Sequence, residues 1–170
     1  MAPRMLSDEE AWEILDPHWQ IIVDAFCEKK LLTRKRLPRI LIDSSYHNSC
    51  RHFAECLHDG SEIHFAPEMW ALPEATVHGI MAHEAGHVVD LSHPGKFWHR
   101  GGELVVAGEM PSKGLRKLLQ RWRDRSDDEV ERVADAIGEL AMGKRIGYVG
   151  PESCLVECLG AGQPRPRGLR

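Results

Sequence analysis

His83-Glu84-Ala85-Gly86-His87 lies within a stretch, Val77 to Leu91, whose apolar residues recur at helical spacing, and its reading decides the fold. Leu72-Pro73-Glu74 opens that helix, because proline and an acid both suit a first turn whose N–H groups lack partners and whose dipole favours negative charge. Val77, Ile80, Met81, Val88 and Leu91 form the stripe it would bury. At 3.6 residues per turn, four positions rotate by roughly 400°, so His83 and His87 project about 40° apart and one turn apart along the axis. Two imidazoles so placed can grip one ion. Glu84 projects about 60° from His87, so its carboxylate can reach a water beside the ion without taking a coordination position. That is the arrangement of a general base next to a metal-activated water.

A catalytic zinc site of this kind needs a third protein ligand. Downstream, Ser126-x-x-Glu129 is a capping box that opens a helix with Val130, Val133, Ala134, Ile137 and Ala141 on its core face and Gly143 as its stop. Glu131 sits on the flank of that helix and is the leading candidate for the ligand. Asp135 lies one turn on, about 40° from it, and can hold a ligand imidazole by its outer nitrogen. Gly138 on the same strip would let this helix approach the motif helix closely. His93 is the rival ligand.

Upstream, Ser7-x-x-Glu10 is a second capping box, and Trp12, Ile14 and Leu15 begin an apolar face that Asp16-Pro17 interrupts. The pattern predicts two helices over 7–30, the second carrying Trp19, Ile22, Val23 and Phe26. Trp12, Trp19 and Trp122 are expected in the core. Arg39 to Asp43, Arg51 to His58 and Ser61 to Ala66 read as three short strands, with Asp59-Gly60 as the turn before the last. The glycine-rich stretch Ser92 to Pro111 reads as loop with one short strand at Leu104 to Ala107. Leu115, Leu118, Leu119 and Trp122 mark another amphipathic helix.

The chain of 170 residues is long enough for one core. A single domain over 1–162 is expected, with N-terminal helices in 7–30, a catalytic core in 38–150 and a disordered basic tail at 163–170. Twenty-two Lys and Arg stand against 26 Asp and Glu, a net charge of −4, so composition offers no case for nucleic acid. Met1 to Glu10 carries Arg4, Asp8, Glu9 and Glu10 and no apolar core of signal-peptide length, and no later run is long enough to span a bilayer. A cytoplasmic address is expected. The five cysteines form no regular framework and suit reduced thiols. His47, Cys50, His52, Cys56 and His58, with Cys154 and Cys158, match no standard zinc-finger spacing and are read as ordinary side chains.

The H-E-x-G-H stretch at 83–87 and the E-x-x-A-D stretch at 131–135, followed by Ala136, Leu140 and Met142, resemble zinc metallopeptidases of the zincin type in their glutamate-ligand branch. They are similar to the ImmA/IrrE-like peptidases, with Asp135 where those have asparagine. The wide gap between the motifs, and Asp90 just past His87, look more like lethal-factor-type peptidases. The resemblance covers the middle and last thirds of the chain and leaves out the N-terminal helices. It implies an α+β fold, in which a small mixed sheet of three or four strands packs on the motif helix and a C-terminal ligand helix closes the site. It further implies one Zn2+ per chain held by His83, His87 and Glu131, with Glu84 as general base, and a peptide or protein substrate. In zincins an extended peptide pairs with the edge strand upstream of the motif helix, and Glu62 to Phe65 is the segment expected there, with Ile63 and Phe65 facing the core. Tyr148, just past the ligand helix, is a candidate oxyanion donor.

Two alternatives stay open. His93 falls at the third-ligand spacing of metzincins, and His93-Pro94-Gly95-Lys96-Phe97-Trp98 resembles a segment of SprT-like peptidases, although metzincins have glycine where this chain has Asp90. A zinc-stabilised regulatory or binding protein with a zincin fold and little proteolysis is the other. Such a protein has no need of Glu84.

Overall fold

The computed structural model describes residues 6–43, 53–108 and 113–146. Helix α1 runs unbroken over Asp8–Glu28, opened by the expected Ser7–Glu10 capping box. Asp16-Pro17 does not split it, which corrects the expectation of two helices. A proline inside a helix costs about 3 kcal/mol. Against this, Leu15, Trp19, Ile22, Val23 and Phe26 lie buried on one stripe on both sides of Pro17, and each such side chain contributes about 1.5–3 kcal/mol. Packing wins over local propensity. Ile14 falls off this stripe and stays 43% exposed.

Strands β1 (Arg39–Ile42), β2 (Ala54–Cys56) and β3 (Glu62–Phe65) form a mixed sheet in the order β1-β3-β2, with β1 parallel and β2 antiparallel to β3. Ile63 and Phe65 are fully buried, as their alternation predicts. The placement of Glu62 to Phe65 as an edge strand is overturned, because β3 is the central strand. Its carbonyls already accept from both neighbours, with Leu57 N–H to Glu62 O at 2.9 Å on one side and Asp43 N–H to Phe65 O at 3.0 Å on the other. Of the strand expected at Arg51 to His58, the described part is Ala54–Cys56; Arg51 and His52 lie outside the described residues.

Helix α2 spans Glu74–Ser92 and carries the H-E-x-x-H stretch. Beyond it the stretch expected as loop with one short strand at Leu104 to Ala107 is a hairpin: β4 (Phe97–Arg100), which was not expected, pairs with β5 (Glu103–Val106), which overlaps the expected strand. Its two-residue turn, Gly101-Gly102, has both φ angles positive, at 59° and 85°. Paired glycines supply that conformation without strain, and the turn matches the twist of the flanking strands. Helix α3 (Leu115–Arg123) and helix α4 (Asp127–Met142) follow, the latter with the Ser126–Glu129 capping box and a left-handed Gly143 at its end. The fold is thus α+β, with four helices and two small sheets among the described residues.

The core gathers Leu15, Trp19 and Phe26 of α1, Ile63 and Phe65 of β3, Met81 and Val88 of α2, and Val133 and Ile137 of α4. Two glycines set how closely α2 and α4 approach. A Cβ on Gly86 would lie 2.8 Å from the carbonyl carbon of Ala134, and one on Gly138 would lie 2.9 Å from the carbonyl oxygen of Ala82. The two backbones are in direct contact at both points. Trp122, expected in the core, is only half-buried, with its indole N–H donated to Asp90 Oδ1 at 3.2 Å. No helix of the described residues is long and apolar enough to cross a membrane.

Candidate metal centre

Helix α2 brings His83 and His87 to one face, and the close crossing with α4 sets Glu131 opposite them. His83 Nε2 lies 2.9 Å from Glu131 Oε2, His87 Nε2 lies 3.4 Å from Glu131 Oε1, and the two Nε2 atoms are 3.1 Å apart. The two imidazole planes are nearly perpendicular, at 89°, so their nitrogens converge on one point from different directions. Donors 2.0–2.1 Å from a tetrahedral ion stand about 3.3 Å from one another. The three separations therefore fit a single zinc ion. His83 is buried, whereas the Glu131 side chain is 34% exposed, so the group opens to solvent on one side.

Behind the ligands, Asp135 Oδ1 lies 3.7 Å from His83 Nδ1, and both atoms are buried without a hydrogen-bond partner. Two orphaned polar atoms facing each other are costly unless something joins them. An ion on His83 Nε2 would leave the proton on Nδ1, as a donor aimed at Asp135, which is the usual support for a ligating histidine. Burial opposes a charge on the His83 imidazole, but Asp135, Glu131 and Glu84 outweigh it and push the group up to about 10. Burial likewise opposes charge on Glu131, yet His83 and His87 hold its carboxyl well below the usual range. The cluster is thus negatively biased and draws a cation, which a proton supplies when no metal is bound.

Glu84 is only 8% exposed and borders the cluster from α2. Its charge reaches across to β2: the Cys56 thiol is pushed up to about 12, mainly by burial, then by Glu84. The motif helix packs against β2.

His93 is not part of the group. Helix α2 continues to Ser92, and the His93 ring turns back so that Nδ1 meets the carbonyl of Val89 at 2.9 Å. A third ligand at this position would require the chain to turn at residue 90, as glycine there permits. Asp90 holds the helix straight instead: it is 1% exposed, and its carboxylate accepts from Arg125 Nη2 at 2.6 Å and from Trp122. Arg125 in turn stacks on the Trp122 ring, 4.9 Å from its centroid. Sequence reasoning did not find Arg125. The available signal was a lone acid in the apolar run Val88-Val89-Asp90-Leu91, since a charge on a buried face needs a partner.

Tyr148 lies outside the described residues, as do His47, Cys50, His52, Cys154, Cys158 and the tail at 163–170. Beside the metal group, a cleft of about 810 Å3 runs between the β4–β5 hairpin and α4, lined by His99, Leu104, Val106, Asp128, Arg132 and Asp135 among others. Compared with protein-family models, with curated proteins and with solved structures, the chain matches none.

Proposed function

We propose that the chain is a zinc-dependent metallopeptidase acting on a peptide or protein substrate. The observation that carries this reading is the convergence of His83, His87 and Glu131, from two helices, on one point. Glu84 stands alongside, and Asp135 backs His83. One zinc ion held there would polarise the scissile carbonyl and acidify a water. Glu84 takes the proton of the attacking water and passes it to the leaving amine. Its burial keeps the carboxylate off bulk solvent and in place for that transfer.

The substrate would lie against β2, the edge strand of the described sheet that packs against the motif helix. Pairing along an edge draws affinity from backbone hydrogen bonds and is tolerant of sequence, so selectivity would come from neighbouring pockets such as the hairpin cleft. A cytoplasmic setting fits the two described cysteines, Cys27 and Cys56, which are both free thiols. A regulatory zinc protein with the same fold would keep the ligands and have no use for Glu84.

Glu84→Gln is the deciding experiment. The variant should fold and hold zinc as the parent does, because residue 84 is not a ligand. Cleavage of a generic protein substrate such as casein should fall by about 10² to 10⁴, the usual worth of a general base. Unchanged cleavage by this variant would remove the mechanism.

A further inference from the structure

A second convergence of donor atoms lies on the other side of the motif helix. His18 of α1 and Glu74 and His78 of α2 place one donor atom each within 4.8 Å of one another. His18 Nδ1 is 3.0 Å from His78 Nε2, and His78 Nε2 is 3.9 Å from Glu74 Oε1. We propose that His18, Glu74 and His78 form a second metal site, which takes zinc or a neighbouring transition ion and fastens α1 to the first turn of α2.

The donor set decides the class of ion. Two imidazoles and one carboxylate suit zinc, cobalt or nickel, whereas calcium and magnesium call for oxygen donors throughout. The spacing is close to the roughly 3.3 Å edge of a tetrahedral coordination sphere, and the 3.9 Å edge closes with a small rotation of the exposed Glu74 side chain. Glu74 and His78 stand one helical turn apart, the same device that pairs His83 with His87.

A hydrogen bond between two neutral rings accounts for the 3.0 Å contact alone. Glu74, one helical turn before His78, adds a carboxylate oxygen 3.9 Å from the same buried nitrogen. His78 is 7% exposed, and its ring lies 5.1 Å from that of His18 with the planes tilted by 60°, so the two nitrogens approach without the rings stacking.

The two sites are separate. His78 and His83 lie five positions apart, roughly 140° around the helix, so they face different neighbours: α1 for one, α4 for the other. Three protein ligands at a partly exposed position leave a coordination place open to water, which makes the ion exchangeable. Its effect is on α1, an element that the catalytic reading does not use. With the ion bound, α1 is pinned at its middle, next to Pro17, where the helix lacks one backbone hydrogen bond.

The test is a zinc titration of the metal-stripped full chain, with bound zinc counted by elemental analysis and Tm followed in parallel. The expected stoichiometry is two. His18→Ala should bring it to one and remove part of the zinc-dependent rise in Tm, with an affinity loss at the second site beyond the roughly ten- to hundredfold cost of disturbing an outer partner. The double variant His87→Ala/Glu131→Ala should still bind one zinc, and lose it when His18→Ala is added. Glu74→Gln, a change at a side chain that is 72% exposed, gives the same answer if His18→Ala fails to fold. A wild-type stoichiometry of one that neither His18→Ala nor Glu74→Gln alters would overturn the proposal and leave the catalytic site untouched. Loss of the ion from the double variant would overturn it as well.

Discussion

Gly86→Ala is the sharpest test of how the two helices build the metal group, because two effects of the same substitution have opposite signs. Gly86 is interior to α2, where helix propensity alone predicts that alanine stabilises by about 0.8–1 kcal/mol. The added Cβ, however, would stand 2.8 Å from the carbonyl carbon of Ala134 and nearer still to its oxygen. Ordinary carbon–carbon contact begins at about 3.5 Å, so the helices must separate by roughly 0.7 Å or more. These are backbone atoms on both sides, and no rotamer change relieves them. Overpacking of this kind costs about 1–3 kcal/mol and outweighs the propensity gain. The consequence for the metal is larger, since ligand distances tolerate only about 0.2 Å. Gly86 sits between His83 and His87, and Ala134 lies on the turn after Glu131, so the strain falls on the three donors themselves. Gly86→Ala should therefore lose stability in urea and bind zinc at the His83 group at least about a hundredfold more weakly, with every ligand still in place. Gly138→Ala should do less, because its Cβ would stand 2.9 Å from the nearest backbone atom, the Ala82 carbonyl oxygen, farther than a Cβ at Gly86 would stand from that of Ala134, and its other close neighbour, Ile146 Cδ1, can move. A Gly86→Ala protein more stable than wild type and equal to it in zinc affinity would refute the close crossing as the cause of the site.

Three other outcomes are expected. Glu131→Ala should lower zinc affinity at the motif site strongly, whereas His93→Ala, its ring engaged on Val89, should leave metal content unchanged; the reverse would make His93 the ligand. Asp90→Ala should cost about 3–5 kcal/mol, because Arg125, whose side chain is 4% exposed, is left charged and unpaired, and adding Arg125→Met should recover much of it; a loss below 1 kcal/mol by denaturant titration would show that the pair is dispensable. Zinc affinity at the motif site should rise up to tenfold per pH unit between about 7 and 10, because the ion must displace the proton held on His83. The sign for the metal-free chain is opposite. The raised His83 pKa contributes stability in full below the ordinary histidine value of 6.5 and loses it as pH climbs to about 10. Calorimetry in buffers of different ionisation enthalpy would count the released proton, and a pH-independent affinity would contradict the assignment.

How much of this was legible in the sequence follows from how local each signal is. The pairing of His83 with His87 depends on helix pitch alone, and the capping box at Ser126 sets where α4 begins and thus which residues share its face. Both are properties of a few adjacent residues. Pro17 misled because its cost is local while the stripe that overrides it, Leu15 to Phe26, gains its energy from contacts with β3 and α2. The short strand expected at Leu104 to Ala107 is found as β5, but its partner β4 at Phe97–Arg100, and so the hairpin, was not expected although Gly101-Gly102 is a two-residue turn signal.

Strand order is the clearest limit. Alternation in Glu62 to Phe65 shows which side faces the core, but it says nothing of which strand lies beside which. Here β1 pairs in parallel with β3, the third strand, and β2, though next after β1 in sequence, is added on the far side of β3. Such a crossover depends on residues 44–52, whose sequence carries no periodic pattern. The correction moves the proposed substrate position from β3 to β2, the strand that packs against the motif helix. A central strand has no unpaired backbone to offer a peptide, while β2 is an edge and its Cys56 lies within the field of the proposed base. Ile63→Pro would remove a ladder donor from the buried central strand and disrupt the sheet, so it says nothing of the substrate. The informative substitution is instead at Ala54, which lies between ladder-bonded positions of β2 and so turns its backbone N–H away from β3: Ala54→Pro should leave zinc content intact and reduce cleavage of all peptides alike. If a folded, zinc-loaded Ala54→Pro protein cleaved as well as wild type, the substrate would not be paired with this edge, and the hairpin cleft beside Asp135 would be the place to look for it.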